Sequence, residues 1–168
     1  VYDIAKRENV NFLLLKAIIQ QESFDPKIPN WGRWNRASIS DVGAVGLMQL
    51  MPLTAEQFGI SKIFNLEEFR QKTEERDAAL AAATTEGDKN FHRIQFENYR
   101  IVYADLLRLE NDKATKDDRF ITPKNVEAGV KFIKTLINYK TPTERIPVKQ
   151  TVPNVIAGFN GGFGAMIL

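Results

Sequence analysis

Glu22 lies three residues after Ile19, four after Ile18 and seven after Leu15. On a helix this spacing places it on the apolar side of those residues. A carboxyl in such a position is partly desolvated, which disfavours its charged form and raises its pKa. That is what a general acid needs in order to keep its proton near neutral pH. A helix-terminal glutamate bending out to solvent satisfies the same spacing, so helix pattern alone leaves both readings open. Few other groups compete for the chemistry. With no cysteine, disulfides, thiolate zinc sites and cysteine nucleophiles are excluded. With one histidine, His92, multi-histidine metal sites are excluded, and His92 itself, on a mixed helix, is assigned no role. No metal or other cofactor is implied.

The elements that must position Glu22 are helical. A short helix is expected from about Asp3 to Glu8, then a stronger one capped by Asn11 and running through Ser23. A long loop follows from Phe24 to Val45, long enough to suggest function. It carries Trp31, Arg33, Trp34 and Arg36, aromatic faces and guanidiniums that suit a ligand; the alternative is that both tryptophans pack the loop onto the body. Pro52 is suited to the first turn of a helix ending at Gly59. Leu66 to Thr85 predicts a helix with Gly87 as its stop, and Asp88 is expected to cap another running to about Asn111. Together they form a charged hairpin, expected as a solvated elaboration; a roof over a cleft and a docking element are the alternatives. Asn111 to Asp118 is a polar connector. Thr122-Pro123 opens a helix with a Val126, Val130, Ile133, Ile137 stripe. Thr141 to Pro153 is expected as a loop, and a last helix starts between Pro153 and Phe159. No convincing alternating strand is present, so the expected class is mainly α.

The whole chain, 168 residues with 43% hydrophobic and 26% charged, suits one globular domain. No apolar run approaches the roughly 20 residues of a membrane span. The net charge is +2. Glu67 to Arg119 holds 10 basic and 13 acidic residues, leaving 13 basic against 8 acidic elsewhere. A basic portion favours an anionic partner, although chance unevenness explains it equally well. The basic residues are scattered and carry no recognised nucleic-acid motif. The chain starts at Val1 without a visible signal peptide and stops at Leu168 after a Gly-rich stretch. We expect a piece of a longer polypeptide.

Four blocks occur in order: Glu22-Ser23; Ser40-Asp41-Val42-Gly43-Ala44-Val45-Gly46-Leu47-Met48-Gln49-Leu50-Met51-Pro52 with Thr54-Ala55; Asn125 to Gly129; and Ala157-Gly158-Phe159-Asn160-Gly161-Gly162. This arrangement strongly resembles the catalytic domain of the soluble lytic transglycosylases, a branch of the lysozyme-like superfamily. The second block is long and specific. The blocks and the helices carrying them cover about half the chain. The resemblance implies a lysozyme-like transglycosylase domain over 1–168, with the charged helical hairpin inserted at about 61–122.

The resemblance further implies cleavage of peptidoglycan between N-acetylmuramic acid and N-acetylglucosamine. Glu22 matches the family's catalytic acid/base, which closes a 1,6-anhydro ring on the muramic acid. Asp25 and Asp41, the other acids near the motif, match no catalytic position. Ser40, Gln49 and Met51 match cleft positions: a hydrogen-bonding hydroxyl, an amide donor and acceptor, and an adaptable apolar wall. Asn160 matches the family asparagine. Phe159 stands where the family usually has a tyrosine whose hydroxyl meets the catalytic carboxyl, so Glu22 should lie in a more apolar site. The expected partner is the peptidoglycan glycan strand, and the expected place of action is the cell envelope or periplasm. A phage particle or secretion machine is the larger assembly we expect to carry the domain. A hydrolytic muramidase and a non-catalytic wall-binding or structural module are the alternatives.

Overall fold

The computed structural model describes residues 1–25, 27, 34–138, 155, 156 and 159. Among these residues the chain is mainly helical, and its extended segments form only isolated bridges. Helix α1 spans Tyr2–Arg7 and α2 spans Phe12–Ser23. The Asn11 side chain caps α2 by accepting the Leu13 and Leu14 amides at 2.8 and 3.4 Å. Helix α3, Pro52–Gln57, starts on its proline. It closes at Gly59, whose φ of +101° lets the Gly59 and Ile60 amides turn back onto Glu56 and Ala55 at 2.9 Å each.

The hairpin consists of α4, Leu66–Ala82, and α5, Glu86–Leu109. Two expectations about it need correction. Gly87 does not stop α4 but lies in the first turn of α5, and the cap of α5 is Thr85 rather than Asp88. Thr85 Oγ1 accepts the Asp88 amide at 3.1 Å and donates to its carboxylate at 2.7 Å. Thr85-x-x-Asp88 is therefore a capping pair. A second correction concerns solvation. Phe69 of α4 and Tyr103 and Leu107 of α5 are buried with Val45, and Phe96 and Tyr99 pack around them. The hairpin's inner face is thus an aromatic core laid against the loop before α3. The polar connector contains a turn of helix, α6 at Lys113–Lys116, and a 3-10 turn at Asp118–Phe120.

Helix α7, Thr122–Ile137, buries Val126, Val130, Ile133 and Leu136 against Leu15, Ile18 and Ile19 of α2. Val155, Ile156 and Phe159 are helical, and Val155 and Phe159 join this core. The expected loop over 141–153 lies outside the described residues, as do Trp31, Arg33, Asn160 and the glycines after it.

Candidate active site

Glu22 is near the C-terminus of α2, where the helix emerges from the core. Leu15, Ile18 and Ile19 are at most 1% exposed, whereas Glu22 is half-buried. Its carboxyl faces a cleft of about 270 Å³ together with Ser40, Gln49, Met51, Thr54, Arg100, Phe132 and Phe159. Among the described residues lining this cleft, Glu22 is the one carboxylate and Arg100 the one cation. No described residue hydrogen-bonds the Glu22 side chain, and burial raises its pKa above the ordinary carboxyl range. The next residue, Ser23, turns its hydroxyl back to Ile19 O at 2.9 Å and takes no part in the cleft.

The opposite wall is the loop from Ser38 to Met51, whose shape comes from buried hydrogen bonds. Ser40 Oγ accepts the Ala44 amide at 2.9 Å and the Val42 amide at 3.4 Å, folding the loop around itself. Gly43 and Gly46 sit at φ of +86° and +81°. A Cβ at Gly46 would lie 2.6 Å from Asn125 Nδ2. Asn125, fully buried on α7, holds both sides of the turn: its Oδ1 accepts the Met48 amide and its Nδ2 donates to Val45 O, each at 2.9 Å. Gly129 makes room one turn later, since a Cβ there would meet Met48 Cγ at 2.6 Å. The third sequence block is therefore the frame of the second.

Gln49, at φ +40°, is expected to offer both a donor and an acceptor, and the structure changes half of this. Its Nε2 donates to Gly46 O at 2.8 Å and to Ser38 O at 3.2 Å. Both amide hydrogens are engaged within the loop, and Oε1 remains as an acceptor for a hydroxyl or an N–H. Met51 contributes a half-buried thioether at the edge of the cleft, touching Arg100. Phe159, 9% exposed, is tilted against Phe132 with ring centroids 5.1 Å apart, so this wall is apolar where a tyrosine would bring a hydroxyl. Five of the six site residues expected from sequence thus line one cleft; Asn160 lies outside the described residues.

The aromatic and basic residues of the long loop divide differently. Trp34 donates from Nε1 to Gln20 Oε1 at 2.9 Å and packs on the main core, away from the cleft. Arg36 lines a separate depression with Lys113 and Phe120. Trp31 and Arg33 are not among the described residues.

Several residues that shape the cleft had no local signal. Arg119 is fully buried, paired with Asp117 at 2.6 Å. It donates to Gly43 O and Leu50 O at 3.0 Å each and to Tyr103 Oη at 2.7 Å, so it ties both ends of the loop to the hairpin. Burial pushes the Tyr103 hydroxyl up to about 12, and it stays a neutral donor to Phe64 O. Arg108 of α5 donates to Ser40 O at 2.9 Å and to Asp41 Oδ1 at 3.0 Å. Arg100, about two turns earlier on α5, lines the cleft itself. The contacts of these three arginines with the motif loop span 49 to 76 positions of sequence. The only sign of them is a run of arginines in a charged segment.

The transglycosylase SLT domain family matches the chain over residues 2–85, half its length, including Glu22, Ser40, Gln49 and Met51. No solved structure matches the chain. The match ends at the turn of the hairpin, so α5, α7 and Phe159 are supplied from beyond it.

Proposed function

The chain belongs to the transglycosylase SLT domain family, whose members act on peptidoglycan, and we propose that it is a lytic transglycosylase cleaving the bond between N-acetylmuramic acid and N-acetylglucosamine. One observation carries this reading. Glu22 is a partly desolvated carboxyl, the one carboxylate among the described residues of its cleft, and no donor among the described residues holds it ionised. An ordinary glycosidase divides the work between two carboxylates. A single acid suffices when the substrate supplies its own nucleophile. Glu22 gives its proton to the glycosidic oxygen, and the C1–O bond breaks as the N-acetylglucosamine side departs as an alcohol. The muramic acid 6-hydroxyl then bonds to C1, and its proton returns to Glu22. No water is consumed, and the acid ends as it began. In this reading Gln49 Oε1 accepts from the sugar, and Met51, Phe132 and Phe159, which line the cleft, supply apolar surface.

We read 1–168 as one domain in which about 61–122 is an inserted hairpin; the family match includes α4 but ends before α5, and α5 braces the motif loop. The site of action is the cell envelope, and carriage by a phage particle or secretion machine belongs to the proposal. Among the described residues, no helix is long and apolar enough to cross a membrane.

Phe159 favours a second reading, in which water replaces the 6-hydroxyl or no bond is cut. Mass spectrometry of purified peptidoglycan digested by the protein separates these outcomes. Muropeptides with 1,6-anhydro ends are expected. Reducing ends identify a hydrolytic muramidase, and binding without fragments identifies a wall-binding module.

A further inference from the structure

We propose that Arg100, reaching the cleft from α5, binds a carboxylate of the muramoyl unit and so makes carboxylate-bearing glycans the preferred ligands; the inference rests on the cleft being a glycan site. Arg100 is the sole cation among the described lining residues, and apart from Glu22, the proposed acid, the other described lining residues are apolar or neutral. Its side chain is 25% exposed. Nη1 donates to Glu97 Oε2 at 2.9 Å. Among the described residues Nη2 has only the Met51 thioether, at 3.9 Å, which is a weak acceptor. Nε is buried with no acceptor among the described residues. A guanidinium this far withdrawn from water and this poorly matched is costly unless a ligand completes its set. A pairing role with Glu97 does not account for the placement, because an i,i+3 pair on a helix surface needs no burial against Met51 and contributes little.

The ligand chemistry follows from the fork. A guanidinium matches the two oxygens of a carboxylate, whereas hydroxyls and acetamides need no charge. Of the glycans a transglycosylase cleft could meet, chitin-type strands have no carboxylate. Strands stripped of peptide expose the lactyl carboxylate of muramic acid, and intact strands carry the carboxylates of the stem peptides. The position of Arg100 beside Met51, within the motif loop's wall, places such a group within a cleft's width of the Glu22 carboxyl.

The test is calorimetric titration of the full chain bearing Glu22→Gln with three probes: an N-acetylglucosamine oligomer, peptide-stripped glycan strands and intact uncross-linked strands. The expected result is tighter binding of a carboxylated probe than of the oligomer. Adding Arg100→Gln should cut that affinity ratio about 10- to 100-fold, the span of a charge-assisted hydrogen bond. Arg100→Lys should restore part of it, and Glu97→Gln, which removes the competing carboxylate, should raise it. Preference for stripped strands assigns the lactyl group, and preference for intact strands alone assigns the stem peptide. Equal affinity for all three probes, or an equal loss on all three in Arg100→Gln and Arg100→Lys, overturns the inference. Fragment release by the wild type is scored separately. An Arg100-dependent ratio without fragments keeps the inference and removes the catalytic reading, and fragments without the ratio do the reverse.

Discussion

The fully buried amide of Asn125 accepts the backbone N–H of Met48 at 2.9 Å and, from its other end, donates to Val45 O. One side chain of α7 thus sets the turn that carries Gln49 and Met51 to the cleft. Asn125→Ala leaves the buried Met48 N–H unmatched and Val45 O with the Leu50 amide alone, and should destabilise the fold by about 1–3 kcal/mol. Urea unfolding monitored by circular dichroism measures this. A loss below the resolution of the measurement would show that the turn holds without its frame.

Gly43 and Tyr103 are as closely coupled. A Cβ at Gly43 would stand 2.6 Å from the Tyr103 ring at a φ of +86°, whereas one at Gly59, at +101°, would meet only Lys131 Nζ at 3.3 Å. Gly59→Ala should therefore cost about 1 kcal/mol from backbone alone, and Gly43→Ala about 2–4 kcal/mol, from backbone and overpacking together. Thermal melts of the two variants should rank them in that order.

Arg119 and Asp117 form a buried pair at 2.6 Å. Arg119→Met leaves the Asp117 charge uncompensated, removes the donor to Gly43 O and leaves Leu50 O with the Val45 amide alone, so a loss of about 3–5 kcal/mol is expected. Because those carbonyls belong to the cleft wall, glycan affinity should fall with stability. Calorimetric titration at a temperature where the variant is still folded checks this.

Glu22 makes stability depend on pH in a definite direction. Burial raises its pKa above the ordinary 4.5. Between 4.5 and the native value, the folded chain keeps a proton that the unfolded chain has lost, so this group's contribution to stability falls as pH rises. Glu22→Gln removes the decline. The variant should melt higher than wild type above this window and together with it below the window, in melts run across pH. Turnover that needs the protonated acid should fall over the same range.

How much of this was legible depends on the range of the cause. Asn11, Pro52 and the α7 stripe act within a turn or two of chain, so capping, ring geometry and periodicity revealed them. The hairpin turn is harder to read because Gly87 resembles a stop, whereas Thr85-x-x-Asp88 is the stronger local signal. Glu22 was legible because its apolar neighbours are on its own helix. The engagement of the Gln49 amide with Gly46 and Ser38 was not, because it depends on the path of a loop with three left-handed residues between 43 and 49. Arg100, Arg108 and Arg119 were invisible for the same reason. Their partners lie dozens of residues away, and in a charged helix an arginine that enters a cleft reads like one that meets water.

The measurement that bears most directly on the account is the rate of dye release from labelled peptidoglycan by the wild type and by Glu22→Gln. Loss of a general acid should slow release by about 100-fold or more, while the variant still binds the glycan. Release by Glu22→Gln within a few-fold of wild type would contradict the assignment of Glu22 as the proton donor.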